Sequence, residues 1–155
     1  MKVVSDTSPI IAFSNIGKLH ILKALFGRIT IPRAVHEELS EEKSFRLEKW
    51  IDVDEIKGRG LYKMLRADLD HGESEAIVLY FEKDMELLLL DDGEARKIAE
   101  SFEMDIIGTG GLLLLAKRRG LVSSVRPEIE KLEKEGAFRF SDSIKELLLK
   151  EAKEQ

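Results

Sequence analysis

A three-layer α/β sandwich with a mostly parallel central sheet is the fold class this sequence predicts, and three observations carry that expectation. Strand-like and helix-like segments alternate along the chain. Leu87–Leu90 is an unbroken apolar run, which suits a strand covered on both faces better than one with a wet face. Helix-opening signals follow the strand-like segments: Ser8-Pro9 after the first, Pro32 after the second, Asp92-Gly93 after Leu87–Leu90. In such a fold a functional site lies beyond the carboxyl ends of the strands.

The elements follow in order. Lys2–Ser5 reads as a short strand, and Ser8 as the cap of a helix running to about Ile16. A second helix spans Lys18–Phe26 after Gly17, and the β-branched Arg28–Ile31 is the next strand. Pro32 opens a helix to about Glu41. Between Lys43 and Arg66 the pattern is mixed, with a helix expected around Phe45–Trp50, an extended Ile51–Ile56 and a loop marked by Gly58 and Gly60. Asp70–Lys83 is a strong helix, Gly93–Phe102 another, and Asp105–Ile107 a short strand. Gly108-Thr109-Gly110-Gly111 reads as a tight turn before a helix over Leu112–Arg119, because it fits neither common phosphate-binding glycine motif. Helices near Arg126–Lys134 and Ser141–Lys153 close the chain, the last as a packed arm or a frayed tail.

At 155 residues the chain suits one domain with a sizeable core, and residues 106–155 read as a helical C-terminal extension packed on it. The absence of cysteine excludes disulfide frameworks, thiolate-held zinc, iron–sulfur clusters and thiol catalysis. His20, His36 and His71 are too scattered for a histidine zinc motif, so a metal would be held mostly by oxygen. A net charge of −5 argues against coating nucleic acid by bulk electrostatics but not against cutting it, since bound cations invert the charge of an acidic site. No basic segment with an apolar core follows Met1, and apolar runs such as Leu112–Ala116 fall far short of the roughly 20 residues of a membrane span. A cytoplasmic protein without a membrane partner is expected.

Several acids stand where solvation does not explain them. Asp6 follows the first strand although Ser8 supplies the expected helix cap, which leaves Asp6 without a structural task. Glu38 falls on the apolar stripe of Ile31, Val35 and Leu39 while Glu37 falls outside it, and an inward carboxylate is costly unless paired or bound to metal. Glu73 shares a face with Ala76, Ile77 and Tyr80, whereas Glu75 continues toward Glu82; Asp70-His71-Gly72-Glu73 also reads as a capping box. Asp91 ends an apolar strand where a parallel sheet presents ligands, and Asp92 caps the helix at Gly93 or adds a further acid. Such a cluster calls for Mg²⁺ or Mn²⁺, without which the carboxylates repel and some protonate. One or two such ions suit attack on a phosphodiester.

Val4-Ser5-Asp6-Thr7-Ser8-Pro9, Ile31-Pro32-Arg33-Ala34-Val35-His36-Glu37-Glu38-Leu39, Gly72-Glu73-Ser74-Glu75-Ala76-Ile77 and Leu89-Leu90-Asp91-Asp92 resemble, in this order, the acidic motifs of PIN-domain proteins, which include the VapC-type toxins. The resemblance implies a PIN-like fold and a Mg²⁺- or Mn²⁺-dependent endoribonuclease. It assigns Asp6, Glu38, Glu73 and Asp91 as catalytic and metal-holding residues, with Asp92 beside them and Thr7 or Ser8 as a polar helper. The third acid is Glu where toxins usually have Asp, with Glu75 as its competitor, and the Asp91-Asp92 doublet leaves the register of the fourth open. Ile106-Ile107-Gly108-Thr109-Gly110-Gly111-Leu112-Leu113 resembles an extra C-terminal motif of a prokaryotic PIN-like branch. The expected partner is RNA, with an antitoxin protein if the chain is the toxin of a toxin–antitoxin pair, and a homodimer is the expected assembly. An inactive PIN-like module that binds RNA or protein is the alternative. Phosphatase chemistry at Asp6 is disfavoured because position 8 is Ser8 rather than a second Asp.

Basic residues complete the reading. Lys117, Arg118 and Arg119 close a helix whose dipole favours cations there, and with Arg96 and Lys97 they are candidates for an RNA-backbone rim. Aromatic residues are too sparse, at 6%, for base reading across a sheet face.

Overall fold

The computed structural model describes residues 1–135 and 138–155. Five strands, β1 (Val3–Ser5), β2 (Ile29–Pro32), β3 (Ile51–Asp54), β4 (Leu87–Leu89) and β5 (Ile106–Ile107), form one sheet in the order β3-β2-β1-β4-β5. Every pairing is parallel, with Val4 opposite Thr30 and Leu88 opposite both Val4 and Ile106. The strand period of two divides the apolar side chains between two faces. Val3 and Leu89 join one buried cluster, while Val4, Leu88 and the following Leu90 join the other.

Helices cover both faces. The first cluster takes in α1 (Thr7–Asn15), α2 (His20–Phe26), α3 (Arg33–Ser40), α7 (Thr109–Arg118), α8 (Arg126–Lys134) and α9 (Asp142–Glu151) through residues such as Phe13, Leu22, Leu39, Leu113, Leu132 and Leu148. The second takes in α4 (Arg59–Leu65), α5 (His71–Glu82) and α6 (Gly93–Ser101) through Leu65, Ile77, Leu79 and Ala99. The predicted α/β sandwich with a parallel centre is the fold observed. Among the described residues no helix is long and apolar enough to cross a membrane.

Four local expectations are corrected. Phe45–Trp50 is not helical; both end residues bury their rings from irregular backbone, so tertiary packing overrides helical spacing. The glycine-marked loop instead contains α4, entered after Glu82 accepts the Lys57 N–H at 2.9 Å. Helix α1 begins at Thr7 with Asp6 in the N-cap position, so Ser8 lies inside the helix rather than capping it. Helix α7 likewise begins at Thr109, absorbing the expected turn. Its glycines answer close packing: a Cβ on Gly111 would lie 2.7 Å from Ile107 Cγ1, and one on Gly110 3.1 Å from Leu148 Cδ1.

The C-terminal arm is packed and pinned. The Glu154 carboxylate accepts the Val125 N–H at 2.8 Å and the Arg126 N–H at 3.0 Å at the start of α8, and the Lys117 ammonium at 2.8 Å. Desolvation raises its pKa, but the Lys117 bond and the two backbone N–H groups outweigh it and hold the acid at about 2, below the ordinary 4.5. Because the folded pKa is depressed, this stabilisation is complete above pH 4.5 and is lost as pH falls toward 2. Glu154→Gln is expected to lower stability at pH 7 by about 2 kcal/mol, the scale of hydrogen bonds to a charged group. Urea unfolding of the two proteins should converge as the pH is lowered through that window.

Candidate active site

The parallel sheet ends its central strands at one edge, and there the acids gather. Asp6 directly follows β1, where its N–H donates to the Leu89 carbonyl at 3.0 Å. Its backbone occupies the N-cap position of α1, yet its side chain makes no cap bond and is buried. Asp91 lies two residues beyond β4 on the neighbouring strand. Glu38 reaches in from α3, and Glu73 from the first turn of α5. Asp6, Glu38, Asp70, Glu73, Asp91 and Asp92 line one cavity of about 430 Å³ together with Thr7 and Ser8.

Neutral donors orient these acids. The Thr7 hydroxyl donates to Glu38 Oε2 at 2.6 Å, and the Ser8 hydroxyl to Asp91 Oδ2 at 3.0 Å. Asp91 also accepts the Thr109 N–H at 2.7 Å and the Thr109 hydroxyl at 2.7 Å. Asp6 and Glu38 approach one another across Gly72. A Cβ there would lie 2.7 Å from Glu38 Oε1 and 3.2 Å from Asp6 Oδ1, so the missing side chain is the space that both carboxylates use.

Burial and mutual repulsion act on their protonation. Desolvation pushes Asp6 well above the ordinary carboxylate range, opposed by the Thr7 N–H and reinforced by the charges of Asp70, Glu73 and Glu38. Desolvation likewise raises Glu73 to about 7, opposed by the Asp70 N–H and reinforced by Asp70 and Asp92. Asp91 is raised by desolvation against the pull of Thr109, Ser8 and Arg96.

The capping box forms, with Asp70 Oδ1 accepting the Glu73 N–H at 2.8 Å and Glu73 Oε1 accepting the Asp70 N–H at 3.0 Å. Glu73 thus caps and faces the cavity at once. Glu75 goes elsewhere: it is buried rather than running outward toward Glu82, and Oε1 accepts the Ala34 N–H at 3.0 Å in the first turn of α3. Helix α5 is buried from Gly72 to Leu79 between the sheet and α3 and α4, so it has no wet face at Glu75. Asp92 caps α6 through the Ala95 N–H at 3.0 Å while lining the cavity. Glu37 is exposed and pairs with Arg33 at 3.3 Å, as the stripe argument expects.

Of the five candidate rim residues, Arg96 stands beside the acids, its guanidinium donating to the Leu90 carbonyl at 2.9 Å, while its neighbour Lys97 is exposed on α6 and lines neither the acidic cavity nor the one beside it. Lys117 and Arg118 end α7, about 12–14 Å of helix away from the Thr109 end that holds Asp91, with Arg119 directly after them. Lys117 is moreover engaged by Glu154 and the Ala152 carbonyl. Thr109, Gly72 and Asp70 belong to the site, although the sequence pattern assigns Thr109 to a turn and Gly72 and Asp70 to a capping box. A small hydroxyl residue set among three glycines was the available signal for Thr109.

Among the described residues no three acidic or histidine side chains converge closely enough, as placed, to ligate one ion. The donor set nonetheless suits a hard cation: the cavity has six carboxylates and no soft ligand, and three of those acids carry pKa values raised by burial.

These raised acids bind more protons folded than unfolded, so metal-free stability falls as pH rises from the ordinary carboxylate range through about 7. Thermal unfolding in a chelator should therefore give a higher Tm at pH 5 than at pH 8. Glu73→Gln, which keeps the carbonyl needed by the Asp70 N–H, should flatten that slope; an unchanged slope would show that Glu73 does not titrate in this window.

No curated protein matches the chain. A sequence model described as the PIN domain matches residues 2–154, nearly the whole length. With its acids collected at the carboxyl edge of a parallel sheet, the chain belongs to the PIN-domain family.

Proposed function

We propose that this protein is a Mg²⁺- or Mn²⁺-dependent ribonuclease that hydrolyses RNA phosphodiester bonds. PIN domains are generally nucleases, which supports hydrolysis of nucleic acid as the class of reaction. The observation that carries the finer reading is the single cavity that Asp6, Glu38, Glu73 and Asp91 line together with Asp70 and Asp92. Like charges gathered there, with Asp6 and Glu73 buried and Glu38 and Asp91 half-buried, are costly unless a cation joins them.

Asp6, Glu38, Glu73 and Asp91 would hold the ion or ions, with Asp92 in support. A bound divalent ion supplies an activated water and stabilises the charge that develops on the phosphodiester during in-line displacement. The protein's own groups prepare the site. The Thr7 hydroxyl keeps Glu38 turned inward, and Ser8 with Thr109 fixes the plane of the Asp91 carboxylate. Glu73 Oε1 is committed to the Asp70 N–H, which leaves Oε2 as the atom able to carry a proton near pH 7.

Thermal unfolding with and without millimolar Mn²⁺ tests the reading. An ion that binds only the folded protein raises stability by about 2.7 kcal/mol at a hundredfold excess over its Kd. Asp6→Asn should lose most of that gain and the Mn²⁺-dependent cleavage of single-stranded RNA. Wild-type protein that shows neither a metal-dependent Tm shift nor RNA cleavage would falsify the proposal and leave an inactive binding module. Cleavage that persists in both Asp6→Asn and Asp91→Asn would place the chemistry elsewhere.

A further inference from the structure

A second cavity, of about 440 Å³, adjoins the acidic one and shares Asp91 with it. Its lining is of a different kind. Ile107, Gly110, Gly111 and Leu148 form an apolar floor, and Phe138 and Phe140 form an aromatic wall, their ring centroids 4.7 Å apart and tilted by 50°. Arg96 and Arg139 also line it, so cationic groups enter the apolar cavity and not the acidic one. Ile144 and Leu147, from α9, are left 44% and 51% exposed at this lining.

We infer that this cavity is a nucleobase subsite, which takes one unstacked base of single-stranded RNA beside the phosphodiester presented to the acids. The inference rests on the ribonuclease reading and names a part of its substrate that the acids do not touch. Three observations select this occupant. The volume lies within the roughly 300–1,000 Å³ of small-molecule sites, which suits a nucleoside rather than a protein element. The lining joins aromatic and apolar faces to guanidinium groups, matching the π face and the anionic backbone of one nucleotide. The shared Asp91 makes the two cavities continuous, as a base and its adjoining phosphate require.

Close packing preserves the space. A Cβ on Gly108 would lie 2.8 Å from Asp91 Oδ1 and 2.9 Å from Arg96 Nη1, and one on Gly110 3.4 Å from Phe140 Cε1. A side chain at Gly108 would push the carboxylate and the guanidinium at the junction of the cavities, and one at Gly110 would press on Leu148 in the floor. The Gly-Thr-Gly-Gly segment thus serves both sides, with Thr109 holding Asp91 on one and the glycines keeping the floor low on the other.

The test measures binding on the full chain carrying Asp6→Asn in Mn²⁺, by anisotropy of short labelled single-stranded RNAs, each with one base removed at a successive position. Loss of one base, at one position only, should raise Kd about tenfold, the scale of a single stacked base. Phe138→Leu should weaken intact RNA several-fold and leave the RNA abasic at that position unaffected, a non-additivity that folding damage does not produce, whereas Arg139→Gln, which removes a backbone contact, should weaken both RNAs several-fold. Phe138→Leu avoids Phe140, which is packed against Gly110, and its Tm is compared with that of the parent. Equal affinity for intact and every abasic RNA, or intact-RNA binding indifferent to both variants, overturns the subsite; indifference is also the outcome if the cavity serves a protein segment instead.

Cleavage by wild-type protein, measured in parallel, separates the two proposals. Cleavage with base-independent binding removes the subsite alone. Base-dependent binding without cleavage removes the ribonuclease reading and leaves the subsite supported.

Discussion

The hydrogen bond from the Asp6 N–H to the Leu89 carbonyl extends the pairing of β1 with β4, and the placement of the site depends on that pairing. Parallel strands finish at the same edge, so Asp6 and Asp91 arrive at the ends of neighbouring strands within one residue of register, without any direct attraction between them. Two apolar faces make this arrangement stable. The alternation of Val3 with Val4 and of Leu88 with Leu89 anchors the strands in separate clusters, and burial of that area outweighs the electrostatic cost of the acids at the edge.

That cost is handled mainly by neutral donors. Thr7, Ser8 and Thr109 satisfy carboxylate oxygens without cancelling their charge, and Arg96 is the one cation acting on Asp91 among the causes that shift it. A salt bridge to each acid would have favoured its ionised form but occupied the oxygens and cancelled the charge that a divalent ion needs. Donation from Thr109 also links the site to the C-terminal helices. Its helix, α7, ends at Lys117 and Arg118, and Lys117 is gripped by the same Glu154 carboxylate that caps α8. The last helices therefore fix the far end of the element that holds Asp91.

Much of this was legible in the sequence because it rests on periodicity. The apolar stripe of α3 separated Glu38 from Glu37, and the structure sends one into the cavity and the other to Arg33. The run of leucines announced a strand covered on both faces, and of the doublet after it Asp92 caps α6, as one of its two readings had it, while both acids line the cavity. Glu75 was not legible. Helical phase turned it away from Glu73, which is correct, but away from one buried face is here toward another, since α5 is enclosed by the sheet, α3 and α4. The segment Phe45–Trp50 failed for a related reason: its spacing resembles a helix, while its two ends are drawn into the core from irregular backbone.

By itself the sequence determined the α/β class, the two-faced strands and the identity of the acids at the strand ends, because those features follow from side-chain period and from which groups tolerate burial. Tertiary structure alone decided which hydroxyl meets which carboxylate, that Gly72 must lack a side chain so that Asp6 and Glu38 can approach, and that Lys117–Arg119 lie at the wrong end of α7 to form a rim at the acids. Such contacts join residues separated by tens of positions, from Thr7 to Glu38 and from Ser8 to Asp91, and no local pattern encodes a distance that exists only once the strands have paired.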